Sequence, residues 1–524
     1  MRKLSILDMS ILAASTGLFT GCQPSPGHTE KEVGNKYNVL LVSFDDLRPE
    51  LGCYGNEVIK TPNLDNFANE GVAFTKAFCQ VSICAPSRAS LMTGLRPDST
   101  RVWHLADKFR ETIPEVTTLP QYFHNNGYHT VGIGKQFHNH MPDSISFDEP
   151  DLRPAEYATA DMVDRDAESF YYDDDIKKEL AKVREERLKK NPNAYANGWA
   201  YGRVMENSDA PDNAFYDGAQ TELALEVIKR LKDQDQPFFL SLGYFRPHLP
   251  FVAPKKYWDL YNRDSIPMAS NPYLPKNSPV MAINSSYELM GCYDMYSNHP
   301  SLYQQPEDTA RMLKHGYYAS VSYIDACFGK LMDGLKEMGL DKNTIVLIYG
   351  DHGWKLGEHR SWCKQTVYEI DTHVPLIVNA PNITAKGQQC DRLVELVDIF
   401  PTLSDLAGIN PPEYLQGTSM KPLLENPTQE WKTAVFSQHH RRPKESPDHK
   451  RYMGYSMTTD KFHYVEWYIW DNEKKVKGDY VTCELYDATI DPDENINIAG
   501  EIENAEIIKS LSVQLQNGWR KARP

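Results

Sequence analysis

Four short apolar runs, each closed by polar residues, set the frame of this chain. Asn38-Val39-Leu40-Leu41-Val42-Ser43-Phe44 is nearly unbroken in hydrophobicity, the pattern of a strand buried on both faces of a parallel sheet, and it ends in Asp45-Asp46. Similar runs at 130–134, 237–243 and 344–349 lead into Lys135, His248 and Asp351-His352. Helical periodicity lies between them, at 221–232 and 320–338. The alternation predicts an α/β fold: a large mixed, mostly parallel sheet sandwiched by helices. Ligands bind such sheets beyond the carboxyl ends of the strands, so these polar residues are expected to meet at one edge.

The pattern weakens after Pro401-Thr402-Leu403, and 411–427 reads as a connection. Short strands follow at 434–437, 452–458 and 461–467, then a turn at Asp491-Pro492-Asp493 and an amphipathic helix at 505–519. This predicts a catalytic domain over 37–426 and a smaller antiparallel-sheet subdomain over 431–524. The charge-dense stretch 173–190 predicts a solvated helix, and 265–306, rich in Pro, Asn, Ser and Tyr, predicts a long loop crossing near the site.

The N-terminus reads as a targeting signal over 1–21: Arg2 and Lys3, an apolar stretch over 4–19, then Thr20 and Gly21 before Cys22. Its end fits a lipoprotein cleavage box, with Cys22 as the lipid site and 23–36 as a flexible tether. The expected location is therefore outside the cytoplasm, periplasmic or on the cell surface. A composition of 41% hydrophobic and 24% charged residues suits a soluble enzyme. A net charge of −16 argues against nucleic acid as a partner and confines any anion site to a local basic pocket. Nine cysteines without a CxxC or Cys/His spacing suggest buried thiols rather than zinc.

The most specific local string is Cys84-Ala85-Pro86-Ser87-Arg88 followed by Thr93-Gly94. This C-x-P-S-R-x4-T-G pattern resembles the signature of the formylglycine-dependent sulfatases of the alkaline phosphatase superfamily. The resemblance implies that a maturase oxidises Cys84 to formylglycine, whose hydrate attacks sulfur. It implies a calcium site, with magnesium second, formed by Asp45, Asp46, Asp351, His352 and residue 84. It also implies that Arg88 holds the hydrate, Lys135 and Lys364 neutralise the sulfate oxygens, His138 serves the second hydroxyl and His248 protonates the leaving oxygen. Further matching strings are Asp45-Asp46-Leu47-Arg48-Pro49, Phe245 to Phe251, and Asp351-His352-Gly353-Trp354 with Leu356-Gly357-Glu358-His359. With Met453-Gly454-Tyr455-Ser456 they place the resemblance nearest the iduronate-2-sulfatase group. In that group a basic residue before Met-Gly-Tyr-Ser grips the sugar carboxylate, which points to Arg451 here, with Trp354 also at the substrate. The implied activity is exo-acting hydrolysis of sulfated glycans, a 2-O-sulfated uronic acid first and another algal or host glycan second. A phosphatase or phosphodiesterase of the superfamily would carry Thr or Ser as nucleophile and a second metal cluster. A silent glycan-binding protein would keep Cys84 as a thiol.

Overall fold

The computed structural model describes residues 36–524 apart from 139–140, 158–166, 194–201, 296–303 and 447. The targeting signal, Cys22 and nearly all of the tether lie outside the described residues.

Nine strands form the main sheet: β1 (Asn38–Asp45), β2 (Val72–Phe78), β3 (His129–Gly134), β4 (Glu149–Leu152), β5 (Phe238–Pro247), β6 (Thr344–Gly350), β7 (His373–Asn379), β8 (Gln388–Cys390) and β9 (Val394–Glu395). Their order is β8-β2-β7-β6-β1-β5-β3-β4, with β9 also on β2. Every pairing is parallel except those of β7 with β2 and β6. The four strands expected from the apolar runs are β1, β3, β5 and β6, and they are contiguous at the centre of the sheet.

Strand alternation divides the core. Leu40, Val42 and Phe44 face one apolar cluster with Leu240, Leu242, Val346 and Ile348. Val39 and Leu41 face the other with Phe239, Ile345 and Leu347. Each face is covered by helices: among them are α1 (Cys84–Thr93), α2 (Asp174–Lys190), α3 (Tyr216–Leu231), α4 (Glu307–Glu337) and α5 (Ile399–Leu406). From α4, Phe328 and Leu331 pack on the first cluster; from α1 and α5, Leu91, Met92 and Leu403 pack on the second. Burying each such side chain contributes roughly 1.5–3 kcal/mol. The helix expected at 320–338 begins at Glu307. The charge-dense helix α2 is capped by the Asp173 carboxylate and buries only Leu180, which makes it a solvated surface element.

A second, antiparallel sheet follows in the order β10 (Val435–Arg441), β11 (Tyr452–Thr458), β12 (Phe462–Asp471) and β13 (Val476–Asp487). It is larger than the sequence pattern suggests, since β12 runs on to Asp471 and the first half of β13 is exposed and carries no apolar pattern. Helix α6 (Ala505–Asn517) closes it, with Leu511 against Met457, Tyr464 and Leu485. Glu395 of β9 joins the sheets: its carboxylate accepts from the Phe436 N–H of β10 at 3.0 Å, from the guanidinium of Arg96, just beyond α1, at 2.7 and 2.8 Å, and from Lys432 at 2.8 Å. No described helix is long and apolar enough to cross a membrane.

Candidate active site

The carboxyl ends of the central strands deliver the charged groups. Asp45 is the last residue of β1, and Asp46 turns into the left-handed region at φ 65°. In a continuing strand the two side chains would point to opposite faces; this turn breaks the alternation. Gly350 of β6 pairs with Phe44, so Asp351 follows beside Asp45, and the Asp46 N–H donates to Asp351 Oδ1 at 3.1 Å. Lys135 follows β3 and forms an ion pair with Asp45. Gly243 of β5 permits that close approach, since a Cβ there would collide with the Lys135 carbonyl.

Each residue of the cysteine string has a physical task. Cys84 opens α1, and Pro86 fits because a first-turn N–H has no intrahelical partner. Ser87 Oγ donates to the Asp351 carbonyl at 2.5 Å. Arg88, fully buried, donates through Nε to Asp351 Oδ2 at 2.9 Å and through Nη1 to Ser43 Oγ at 3.1 Å and the Lys135 carbonyl, with Nη2 3.7 Å from Asp45 Oδ1. The Cys84 Sγ lies 3.3 Å from His352 Nε2 and accepts from Lys364 Nζ at 3.3 Å. Lys364 Nζ also reaches Asp46 Oδ1 at 2.6 Å and stands 5.1 Å over the ring of the buried Trp354.

His248 Nε2 lies 3.9 Å from Asp46 Oδ2 and 3.0 Å from Glu288 Oε1, and Glu288 is 3.6 Å from Lys364. Glu288 comes from the stretch expected as a loop, which folds locally into a short helix, Tyr287–Cys292. No motif marks it in the sequence; its role emerges only when that segment is laid across the strand ends. Of the expected residues, Asp45, Asp46, Cys84, Arg88, Lys135, His248, Asp351, His352 and Lys364 thus meet in one buried cluster. His138 borders a cavity of about 30 Å³ together with Lys135. Arg451 stands apart, immediately before β11, its carbonyl accepting from the Trp470 N–H at 3.0 Å, and no described hydrogen bond or ion pair ties its guanidinium to the cluster.

The electrostatics are those of a cation site. Burial would raise the Asp45 carboxyl, but Lys135, His248, Arg88 and Lys364 hold it well below the usual carboxylate range. Burial and the neighbouring Asp45 charge push Asp46 up to about 8 in spite of Lys364. Two adjacent buried carboxylates therefore do not both ionise readily without more positive charge. Asp45 Oδ1 and Asp46 Oδ2 are buried with no hydrogen-bond partner, and one ligand atom each from Asp45, Cys84, Asp351 and His352 lie within 4.8 Å of one another. These residues fit a hard divalent cation, which favours carboxylate oxygens. The Cys84 thiol itself is pushed up by burial and by Asp45, so as an unmodified cysteine it is a poor nucleophile.

Comparison with known proteins accords with this geometry. A family model described as Sulfatase matches residues 37–409, and one described as N-sulphoglucosamine sulphohydrolase, C-terminal, matches 357–521. The human protein named iduronate 2-sulfatase is 31% identical, over 90% of this chain and 93% of its own length. A protein solved in complex with its substrate D-glucosamine-2-N,6-O-disulfate superposes with a TM-score of 0.70 at 21% identity, covering 93% of this chain and 98% of that one. The phosphonate monoester hydrolase of Agrobacterium radiobacter shares the fold as well, with a TM-score of 0.69 at 23% identity, covering 93% and 96%. The chain belongs to the sulfatase family. It is a sulfuric ester hydrolase, of a family that works with a metal ion and a formylglycine.

Proposed function

We propose that this chain is an exported, exo-acting glycan sulfatase, matured at Cys84 to formylglycine, that removes sulfate from a 2-O-sulfated uronic acid. The observation that carries the reading is the placement of Cys84 Sγ 3.3 Å from both His352 Nε2 and Lys364 Nζ, within the same buried cluster as Asp45, Asp46 and Asp351. The substrate class rests on the likeness to iduronate 2-sulfatase and on Arg451 standing before Met453-Gly454-Tyr455-Ser456. Lipid attachment at Cys22, outside the cytoplasm, belongs to the same reading.

Asp45, Asp46, Asp351 and His352 would hold calcium, which when bound lowers the pKa of an attacking hydroxyl. The aldehyde hydrate supplies one hydroxyl to attack sulfur and a second to expel sulfate afterwards. The chain's own groups do the rest. Lys135 and Lys364 converge on the residue 84 side chain from Asp45 and Asp46, where their charge neutralises sulfate oxygens. Arg88 fixes Asp351 and the strand ends. His248, its Nδ1 donating to the Leu249 carbonyl at 2.5 Å, directs Nε2 into the cluster and can deliver a proton to the leaving sugar oxygen. His138 serves the second hydroxyl, and Arg451 and Trp354 contact the sugar. Cys84 is only 2% exposed, so the maturase must reach it before the chain closes around it.

The test is production of the full chain with a formylglycine-generating enzyme, followed by sulfate release from 2-O-sulfated uronate disaccharides and from sulfated hexosamine and galactose. Release from the uronate, lost in Cys84→Ala, is the expected result. Activity that survives Cys84→Ala overturns the mechanism; reaction with hexosamine or galactose alone overturns the uronate assignment.

A further inference from the structure

A cavity of about 510 Å³ lies outside the cysteine cluster, between the second sheet, the segment after α1 and the end of α6. Its volume falls in the range of small-ligand sites, roughly 300–1,000 Å³. Tyr455 and Tyr468 from the sheet, Trp470 at the end of β12 and Trp519 after α6 line it. Its rim carries the exposed cations Arg101, Lys475, Lys477 and Arg520.

The two acids in the wall already have donors. Asp98 accepts from Trp103 Nε1, Gln438 Nε2 and the Tyr455 hydroxyl, and Glu466 accepts from the Tyr464 and Tyr468 hydroxyls. Among the described residues Lys477 is paired with no carboxylate, and its ammonium stands over the rings of Tyr468 and Tyr455 at 4.5 and 5.5 Å. The rim therefore carries more positive than negative charge, on a chain whose net charge is −16.

Two buried groups in the lining have unmet hydrogen bonds. Gln80 is 1% exposed, and both its amide nitrogen and its amide oxygen have no partner. Trp470 is 4% exposed, and its indole N–H has none either. Leaving such groups unmet costs on the order of 1–3 kcal/mol each, and a native fold retains them where something else fills the need.

We infer that this cavity is a second binding site for an anionic saccharide, distinct from the catalytic cluster. A pyranose ring presents apolar C–H faces that bury against aromatic rings, and its hydroxyls both donate and accept, as the Gln80 amide and the Trp470 indole require. Sulfate or carboxylate groups on the sugar would meet Lys475, Lys477 and Arg520 at the rim. A nucleic-acid strand would also stack on aromatic rings, but Asp98 and Glu466 in the wall and the acidic chain disfavour a polyphosphate. Behind the cavity, the Trp470 backbone N–H donates to the Arg451 carbonyl and its ring lies 5.5 Å from that of His440.

The site does not depend on the catalytic reading, and its test does not depend on turnover. Full-length Cys84→Ala protein is titrated calorimetrically with a heparin-derived tetrasaccharide and, separately, with a carrageenan-derived tetrasaccharide that lacks uronate. The same is done with Lys475→Ala/Lys477→Ala/Arg520→Ala and with Gln80→Met added to that background. The expected result is binding of at least one tetrasaccharide, weakened on the order of tenfold by the triple change, three exposed ion pairs each contributing a factor of roughly two to five. Gln80→Met should weaken binding severalfold while leaving Tm unchanged or raised, because it removes a buried amide with no partner. That opposition separates a ligand group from a structural one. Equal affinities in all proteins, binding of neither saccharide, or a Gln80→Met protein with lower Tm and unchanged affinity overturns the proposal.

Discussion

Arg88 donates from Nε to Asp351 Oδ2 across 2.9 Å, and neither side chain has any exposed surface. A helix residue is thereby tied to the end of β6, and the anionic strand ends are held together by a cation that solvent cannot replace. Pairs of this kind are weak sources of stability when intact and costly when halved, because the remaining charge stays buried.

Arg88→Leu should therefore destabilise the fold by about 3–5 kcal/mol and abolish sulfate release. Arg88→Lys should recover part of the stability but little activity, since an ammonium cannot span Asp351, Ser43 and the Lys135 carbonyl as the guanidinium does. Urea unfolding and sulfate release on the two variants check this.

Removing divalent cations should lower Tm, because Asp45 and Asp46 are then left facing each other with two buried unpartnered oxygens. Saturating calcium at roughly a hundred times its Kd should restore about 2.7 kcal/mol. In Asp351→Asn the calcium-dependent part of the melting shift should shrink sharply. A Tm indifferent to chelator and to calcium would count against the cation site.

Gly243→Ala should damage the enzyme without touching a charged group. The added methyl would strike the Lys135 carbonyl, so β3 and β5 must separate where Lys135 meets Asp45. A stability loss of about 1–3 kcal/mol is expected, together with a lower kcat. Thermal unfolding and steady-state kinetics read both.

The link between the two sheets should give acid sensitivity. Burial alone would raise the Glu395 carboxyl, but Arg96 and Lys432 reverse this and bring it from 4.5 to about 2. Its folded value lies below its unfolded value, so its contribution is complete above about pH 4.5 and is lost as pH falls towards 2. Asp398 in the same cluster is raised, chiefly by burial, and works in the opposite direction, so the comparison is made against Glu395→Gln. That variant should be less stable than the parent by on the order of 2–3 kcal/mol at neutral pH, with the gap narrowing below about pH 4.5 and closing as pH falls towards 2. A gap independent of pH would refute the assignment.

The central strands were legible because a strand buried on both faces must be apolar throughout, as Val39 to Phe44 are. The strands β2 and β7 carry no such run: Thr75 and Lys76 interrupt the first, and Pro375 interrupts the second. The first part of β13 lacks a strand pattern for a different reason. Its residues from Val476 to Val481 are exposed, so pairing with β12 rather than burial makes them a strand, and pairing leaves no periodic trace. The site residues at strand ends were readable from their positions, and the cysteine string from its specificity. Glu288 was not, since a buried carboxylate in an irregular segment differs from a solvated one only through the histidine and lysine that fold against it.

The backbone at Asp46 adds a constraint of its own. A non-glycine residue at φ 65° is tolerated best when its side chain is Asn or Asp. Of the residues that accept this bend with little strain, Gly, Asn and Asp, one alone brings a negative charge. Chain geometry and charge requirement thus select the same side chain, and Asp46→Asn is the substitution that alters the charge while sparing the bend.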